Sequence, residues 1–480
     1  MHPIFSLAVA AVGASAVHGI AVPSTAPSTA VAVDKALLSL SLEFFTFPAY
    51  TNITATAKCI SRLTTLRGAP PAVRIGGTTQ DRATYDPKLT AAVNYTVASA
   101  ADAPTALTYG PSFFALAAAL PGDVTLGLNR RLNNQSNTLA AASTAQSIMQ
   151  NLYAIELGNE PEFYSSDSPI VPSSGWNPTA DGASQKAWET ALAPSVSAPL
   201  GNVFQAAVYL QEPTWSTAGL VPLLGSAIEH VKTFSGHSYP QSACGGASTN
   251  LQSLMSHSGI VSYTSRYKSE AAAAHAQGKP YFLGETNSAT CGGGGISPTY
   301  GAALWIVDYV LQAALNNVDR LYFHQGTIGN CQYCFWGRYI VGAPFYGAAF
   351  VSQFLGADAT ALAMLDDGSG ALATYVVYSA AGAPLRALVY NSDYFDGTGA
   401  RGVANATLSG LAGAAVRVLR LTAPNAASRV DQGGVVTIGG GQTFANDCGT
   451  AGAQTFESVA VSNGTATVSV QASEALIVYL

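Results

Sequence analysis

Short apolar, β-rich runs alternate with longer Ala- and Leu-rich runs from residue 38 to about residue 330, and this alternation leaves few architectures open. The strand-like runs are Leu38–Phe45, Ala72–Gly77, Val124–Asn129, Tyr153–Glu160, Val203–Leu210, Thr233–Tyr239, Tyr281–Thr286 and Arg320–Gln325. Helix-like runs fall between them: Ile53–Leu66, Pro111–Leu120, Leu139–Asn151, Ala183–Leu192, Ala218–His230, Tyr263–Ala276 and Tyr300–Asn317. Eight strands alternating with helices over about 300 residues fit a (β/α)8 TIM barrel; the competing arrangement is a doubly wound open sheet. Polar strand ends favour the barrel. Glu43, Asp81 just beyond Arg74-Ile75-Gly76-Gly77, Asn129, Asn159 with Glu160, His237 with Tyr239, Glu285 and His324 all fall where a strand stops. A barrel gathers those ends at one mouth, where its active site sits, whereas an open sheet scatters them along an edge.

After about residue 346 the helical pattern gives way to short alternating runs punctuated by Gly, Asn, Asp and Ser, which read as an antiparallel β-sandwich. The expected organisation is a signal peptide over 1–21, a catalytic barrel over 22–345 and a β-sandwich over 346–480. Residues 22–36 are either a linker or a strand of the β-domain. The leader rests on the apolar run from Ile4 to about Val17, too short for a span of roughly 20 residues, followed by small residues at Ala14, Ser15 and Ala16. No later segment is long and apolar enough to span, so the mature form is expected to be extracellular and free of the membrane. Five glycosylation acceptors, at Asn52, Asn94, Asn134, Asn405 and Asn463, agree with export and predict surface positions. The six cysteines (Cys59, Cys244, Cys291, Cys331, Cys334 and Cys448) suggest disulfides, in any of 15 pairings. Cys331-x-x-Cys334 has no second pair or HxxxH partner, so no metal is expected.

Charged residues are only 10 % of the chain, with 21 basic and 27 acidic residues and no basic block. That argues against nucleic acid as a partner. In a chain so sparing of charge, two carboxylates stand out. Ile155-Glu156-Leu157-Gly158-Asn159-Glu160-Pro161 closes the fourth strand and Tyr281-Phe282-Leu283-Gly284-Glu285-Thr286-Asn287 the seventh. Each carries Glu off the end of a buried strand, where an unpaired carboxylate is costly. Strands four and seven face one another across an eight-stranded barrel. Two facing carboxylates suffice to hydrolyse a glycosidic bond, one as nucleophile and the other as acid and then base. Their environments must hold one protonated and the other ionised.

These segments resemble the clan A retaining glycoside hydrolases, and more closely glycoside hydrolase family 79, the β-glucuronidase and heparanase-like group. Leu42-Glu43-Phe44, Arg74-Ile75-Gly76-Gly77, Glu156 to Pro161, Gly284 to Asn287 and Tyr322-Phe323-His324-Gln325 carry the resemblance. It implies Glu160 as acid/base and Glu285 as nucleophile, with Glu43, Asp81 and Asn159 on sugar hydroxyls. It further implies Tyr239 beside the nucleophile or the sugar carboxylate, and His324 and Tyr333 at the rim. No cofactor is implied. Gly292, Gly293 and Gly294 follow the nucleophile strand, and their N–H groups form a candidate nest for a C5 carboxylate.

Blander roles fall to Glu156, a buried structural residue expected to pair with Arg74, and to Glu162, an expected exposed loop carboxylate. His230, His257 and His275 are expected on the surface, Asp308 in a structural role, and Trp215 and Trp336 in packing. The expected activity is a secreted retaining exo-β-glucuronidase acting on glucuronic or 4-O-methylglucuronic acid side chains of polysaccharides or proteoglycans. The alternatives are an endo-acting heparanase-like glycosidase, which the scarcity of Lys and Arg disfavours, and a non-catalytic carbohydrate-binding protein.

Overall fold

The computed structural model describes residues 17–196, 201–337 and 340–480. Two short strands come first, β1 (Val17–Ala21) and β2 (Val31–Ala32). The barrel begins with β3 (Leu38–Glu43) and β4 (Val73–Gly76). A small sheet interrupts it: β5 (Ala83–Tyr85), β6 (Val93–Tyr95) and β7 (Leu107–Tyr109). The barrel resumes with β8 (Val124–Leu128), β9 (Leu152–Leu157), β10 (Phe204–Tyr209), β11 (Val231–Ser238), β12 (Tyr281–Thr286) and β13 (Arg320–Gln325). These eight strands close in parallel, β13 pairing with β3 and Leu321 opposite Leu38. All eight expected barrel strands are present. Their residues are buried on both faces because side chains fill the barrel inside and helices cover it outside.

The last covering helix runs Ala343–Leu355, so the boundary expected at residue 345 falls inside it. This helix is apolar on every face and nearly all buried, and such a run shows no helical period. The small sheet was not among the expected strands, since three-residue strands leave no period to count.

The β-domain follows, with β14 (Ala361–Met364), β15 (Leu372–Tyr378), β16 (Pro384–Asn391), β17 (Val403–Ser409), β18 (Ala415–Thr422), β19 (Thr437–Ile438), β20 (Thr443–Phe444), β21 (Thr450–Ala451), β22 (Glu457–Ala460), β23 (Thr465–Gln471) and β24 (Glu474–Tyr479). One sheet has the order β19-β18-β24-β16-β15-β14-β2, with β22 also on β18, and the facing sheet is β1-β17-β23. Both N-terminal strands therefore belong to the β-domain. Within the 22–36 segment, Val31–Ala32 adds to β14. Val17–Ala21 pairs in parallel with Val403–Ser409, and Ile20 enters the sandwich core. Those five residues lie in a folded strand, although the leader was expected to run to residue 21; the rest of the leader lies outside the described residues.

Among the described residues no helix is long and apolar enough to cross a membrane. All six cysteines are paired, as Cys59–Cys448, Cys244–Cys291 and Cys331–Cys334. The first ties the helix Thr54–Arg67 to the β-domain. Four glycosylation acceptors are exposed; Asn405 is half-buried in β17, where its side chain accepts from Ser469 at 2.8 Å.

His257 is not on the surface. It is fully buried between barrel and β-domain, with Nδ1 2.9 Å from Asp308 and Nε2 3.0 Å from Asp366. Tyr375 donates to Asp308 from the β-domain side. Burial alone would lower the His257 pKa, but Asp308 and Asp366 outweigh it and push it up to about 10. The charged imidazolium therefore stabilises the fold fully below its unfolded value of about 6.5, and that contribution disappears as pH rises through about 10. His257→Gln is expected to lower stability by roughly 3 kcal/mol at pH 6, with a smaller deficit at pH 10. Denaturant midpoints at the two pH values check this, and an equal deficit at both would contradict it.

Candidate active site

At the carboxyl end of β9 the chain turns sharply outward. Gly158 takes φ 84°, and a Cβ there would lie 2.3 Å from the Tyr164 hydroxyl, so only glycine fits. Glu160 follows at φ 44° and ψ 62°, a left-handed conformation that costs roughly 1–2 kcal/mol for an L-residue. Pro161 opens the short turn Pro161–Phe163 that holds it there. Glu285 lies near the end of β12, on the far side of the mouth. One oxygen from each glutamate and a His237 nitrogen lie within 4.8 Å of one another. That proximity suits a retaining pair, whose carboxyl groups stand roughly 5–5.5 Å apart.

The two carboxylates are held in opposite protonation states. Burial and then the negative charge of Glu285 push Glu160 up to about 8. Burial would raise Glu285 too, but the charges of His324, His237 and Arg74, with the Tyr239 hydroxyl, hold it well below the usual carboxylate range. Burial lowers His237 to about 4, whereas for His324 the charges of Glu285 and Glu43 outweigh burial and raise its pKa. Both Glu285 oxygens are anchored: Tyr239 donates to Oε1 at 2.7 Å and Arg74 Nη1 to Oε2 at 2.6 Å. Arg74, on β4, also binds Glu156, Asn159 Oδ1 at 2.8 Å and Ser41 at 3.2 Å. Glu156 accepts from Gln205 as well and is wholly buried, in the structural role expected of it.

Glu43 and His324 occupy the neighbouring strand ends. His324 Nε2 is 3.3 Å from Glu43 Oε2, and its Nδ1 is 3.0 Å from Ser41. Thr79 donates its N–H to Glu43 at 3.0 Å. Gly77, at φ 102°, leaves room for this carboxylate, since a Cβ would stand 2.5 Å from it. The Tyr333 ring lies 6.4 Å from that of Tyr239 and 6.2 Å from His324, centroid to centroid. Cys331 and Cys334 bracket it in a disulfide-closed loop.

Three expectations change. Asp81 contacts no open space of the catalytic cleft: its carboxylate accepts from the N–H groups of Arg130, Arg131 and Asn159 and from the Tyr164 hydroxyl. It braces the strand-four turn, because buried carboxylates need partners and the backbone supplies them here. Glu162 is half-buried, not an exposed loop carboxylate, and accepts from the N–H groups of Leu210 and Gln211. The glycine run does not converge as a nest. The Gly293 N–H goes to Thr290 O at 3.2 Å, Gly294 packs on Thr249, and only Gly292 of the three lines the cleft. His237 was assigned no role, yet its Nδ1 sits 2.9 Å from Glu160 Oε1. The missed signal was period two on β11, which puts His237 and Tyr239 on one face. Trp215 and Trp336 are packed inside.

These groups surround a cleft of about 650 Å3 lined by Glu43, Glu160, Phe163, Tyr239, Arg266 and Glu285 among others. Past Glu43, His324, Gly292 and Tyr333 it leads into a second chamber of about 680 Å3, walled by Val97, Ala98, Ala101 and Pro104 together with Thr96, Asp102, Thr105 and Asn330. Glu160 does not reach that chamber. A third cavity of about 690 Å3, near Arg429 and Asp431, is lined by neither Glu160 nor Glu285.

Comparison with known proteins agrees with this arrangement. Residues 374–477 match the family described as Glycosyl hydrolase family 79 C-terminal beta domain. A Beta-glucuronidase of Aspergillus niger is 31 % identical over 380 residues, 71 % of this chain and 69 % of that protein. The crystal structure of a 4-O-alpha-L-rhamnosyl-beta-D-glucuronidase from Fusarium oxysporum 12S, in complex with Rha-GlcA, is 49 % identical, with a TM-score of 0.93 over 96 % of this chain and 100 % of that one. A family 51 α-L-arabinofuranosidase from Thermotoga petrophila, at 11 % identity and a TM-score of 0.62 over 96 % of this chain and 99 % of that one, shares the fold. With its carboxylate pair at one barrel mouth and relatives that span its length, the chain is a glycoside hydrolase and belongs to glycoside hydrolase family 79.

Proposed function

We propose that this enzyme is a retaining β-glucuronidase acting by double displacement, and that the glucuronic acid it releases carries a further neutral sugar. The facing pair carries the mechanism: a glutamate kept protonated and a glutamate kept ionised, with oxygens within 4.8 Å. Glu285 attacks the anomeric carbon while Glu160 protonates the leaving oxygen. Glu160, now ionised, then draws a proton from water, which displaces Glu285. Asn159 spends its Oδ1 on Arg74, and its NH2 serves as donor to the 2-hydroxyl. Glu43 and His324 take hydroxyls farther round the ring. The Gly292 amide and Tyr333 are the groups at the cleft wall suited to the C5 carboxylate.

The second chamber supports the capped substrate. It opens on the side away from Glu160, and therefore beyond the non-reducing end of the bound glucuronate. Its Val, Ala and Pro residues offer apolar contact beside the polar Thr96, Asp102, Thr105 and Asn330, a mixture that suits a neutral sugar, and among the described residues that line it there is no Lys or Arg to favour an anion. The Fusarium relative, described as acting on a rhamnosyl-capped glucuronide, agrees with this reading. The test compares purified enzyme on p-nitrophenyl β-glucoside, β-glucuronide and 4-O-rhamnosyl-β-glucuronide. Fastest turnover of the capped glucuronide, with an intact disaccharide released, is expected. Equal or better use of the bare glucuronide would remove the chamber from the reading, and preference for the glucoside would remove the uronate.

Secretion belongs to the same proposal. The three disulfides and the four exposed glycosylation acceptors support it. A mature N-terminus at Val17, read from protein collected outside the cell, is the expected finding. The small residues Ala14-Ser15-Ala16 directly before it motivate it.

A further inference from the structure

Phe163 is 53 % exposed and is the only aromatic residue among the exposed large hydrophobic residues described. A lone exposed apolar side chain needs no explanation by itself. This one lines the catalytic cleft, and its backbone is fixed from several sides. Its N–H donates to Glu160 O at 3.0 Å within the turn that carries the acid. Trp176 Nε1 donates to Pro161 O at 2.7 Å, Tyr164 stacks on Trp176, and Glu162 is bound to the end of β10. The turn is braced on both sides of Phe163 while its ring is left in the cleft.

Position assigns the ring a ligand. A general acid must come within hydrogen-bond reach of the oxygen it protonates, so the leaving group begins at Glu160. Phe163 lies three residues on, and neither residue lines the chamber on the other side of the cleft. We propose that Phe163 is the stacking platform for the sugar on the leaving side of the scissile bond, which makes it a specificity-determining residue. This inference rests on the β-glucuronidase reading above. One face of a pyranose ring presents C–H groups of slight positive charge, and the π face of Phe is slightly negative. Leu210 extends the apolar floor. Arg266, lying over Tyr263 at 4.3 Å and paired with Glu212 at 3.0 Å, supplies a donor and an acceptor whose charges cancel. The subsite therefore favours a neutral pyranose over a charged one.

The experiment measures kcat/KM for two substrates that share the same glycon, one with a galactose or other pyranose aglycone and one with a methyl aglycone, which has no ring to stack. In Phe163→Ala the ratio of the first to the second is expected to fall about tenfold, and Phe163→Trp is expected to restore it. The partition of the glycosyl-enzyme between water and added acceptor sugar should shift towards water in the alanine variant. An unchanged ratio, or equal losses on both substrates, overturns the proposal: in the second case Phe163 merely shapes the acid-bearing turn. Wild-type enzyme that hydrolyses neither glucuronide would instead sink the activity reading itself, which keeps the two failures apart.

Discussion

Glu285→Gln is expected to lower kcat on an aryl β-glucuronide by ~10⁴-fold or more, because it removes the carboxylate proposed to form the glycosyl-enzyme. Glu160→Gln should behave differently according to the leaving group. An alkyl or sugar aglycone needs a proton, and its turnover should fall roughly 10²–10⁴-fold. Dinitrophenolate leaves unaided, so with that aglycone the variant should form the glycosyl-enzyme and stall there. Added azide should rescue turnover and yield a β-glucuronyl azide. The pH profile supplies an independent check. Glu160 must be protonated to act as acid, and it is pushed up to about 8, so kcat/KM of the wild type should fall as pH rises above that value. Glu160→Gln should lack that basic limb. The Glu285 carboxyl is held far below the usual range, so it should not limit activity at mildly acid pH. Near wild-type rates in both glutamine variants would remove these residues from the chemistry.

Arg74 is the second place where one side chain has a large effect. It is wholly buried and binds Glu156 with two nitrogens while Nη1 holds Glu285. Burial alone would lower its pKa, but Glu156 and Glu285 raise it, so it stays charged. Arg74→Met leaves Glu156 uncompensated at zero exposure and is expected to cost about 3–5 kcal/mol of stability. Any folded fraction should also show a raised Glu285 pKa, moving the acid limb of the pH profile upward. Arg74→Lys retains the charge but not the planar fork, and should fall between the two. Unfolding curves and the acid limb measure the two effects separately. A methionine variant with wild-type stability and an unmoved acid limb would refute the account.

Both predictions involve residues that stand out in the linear sequence. Arg74-Ile75-Gly76-Gly77 and Gly158-Asn159-Glu160-Pro161 are legible because their glycines satisfy local demands, left-handed φ at Gly77 and Gly158 and close approach of Glu43 and Tyr164. Glu156 could be assigned to Arg74 because a fully buried carboxylate in a chain poor in cations has few possible partners. Glu162 and His257 could not be read this way. Both are polar residues in loops or at helix starts, and such residues look alike whether they face water or a neighbouring element. The partner of Glu162 is the end of a strand 48 residues away, and His257 meets Asp366 across 109 residues.

The glycine run shows the same limit in the backbone. Four consecutive glycines permit a nest without requiring one. Here Thr290, Gln332 and Thr249 claim groups of the run, through contacts that its own composition does not reveal.

By itself the sequence determined the eight-fold alternation of strand and helix, the change to β-structure in the C-terminal third, and the placement of two glutamates at the ends of opposed strands. Each is written in local period, local backbone demand, or the cost of placing charge beside apolar strands. Only the tertiary structure decided that β1 and β2 join the β-domain, that the Asp81 carboxylate accepts from the strand-four turn, and that His237 sits on Glu160. It also decided that Glu160 holds its proton while Glu285 does not. Those outcomes depend on burial and on charges brought together from distant parts of the chain, and electrostatic energies in a low-dielectric site change steeply over a few ångströms.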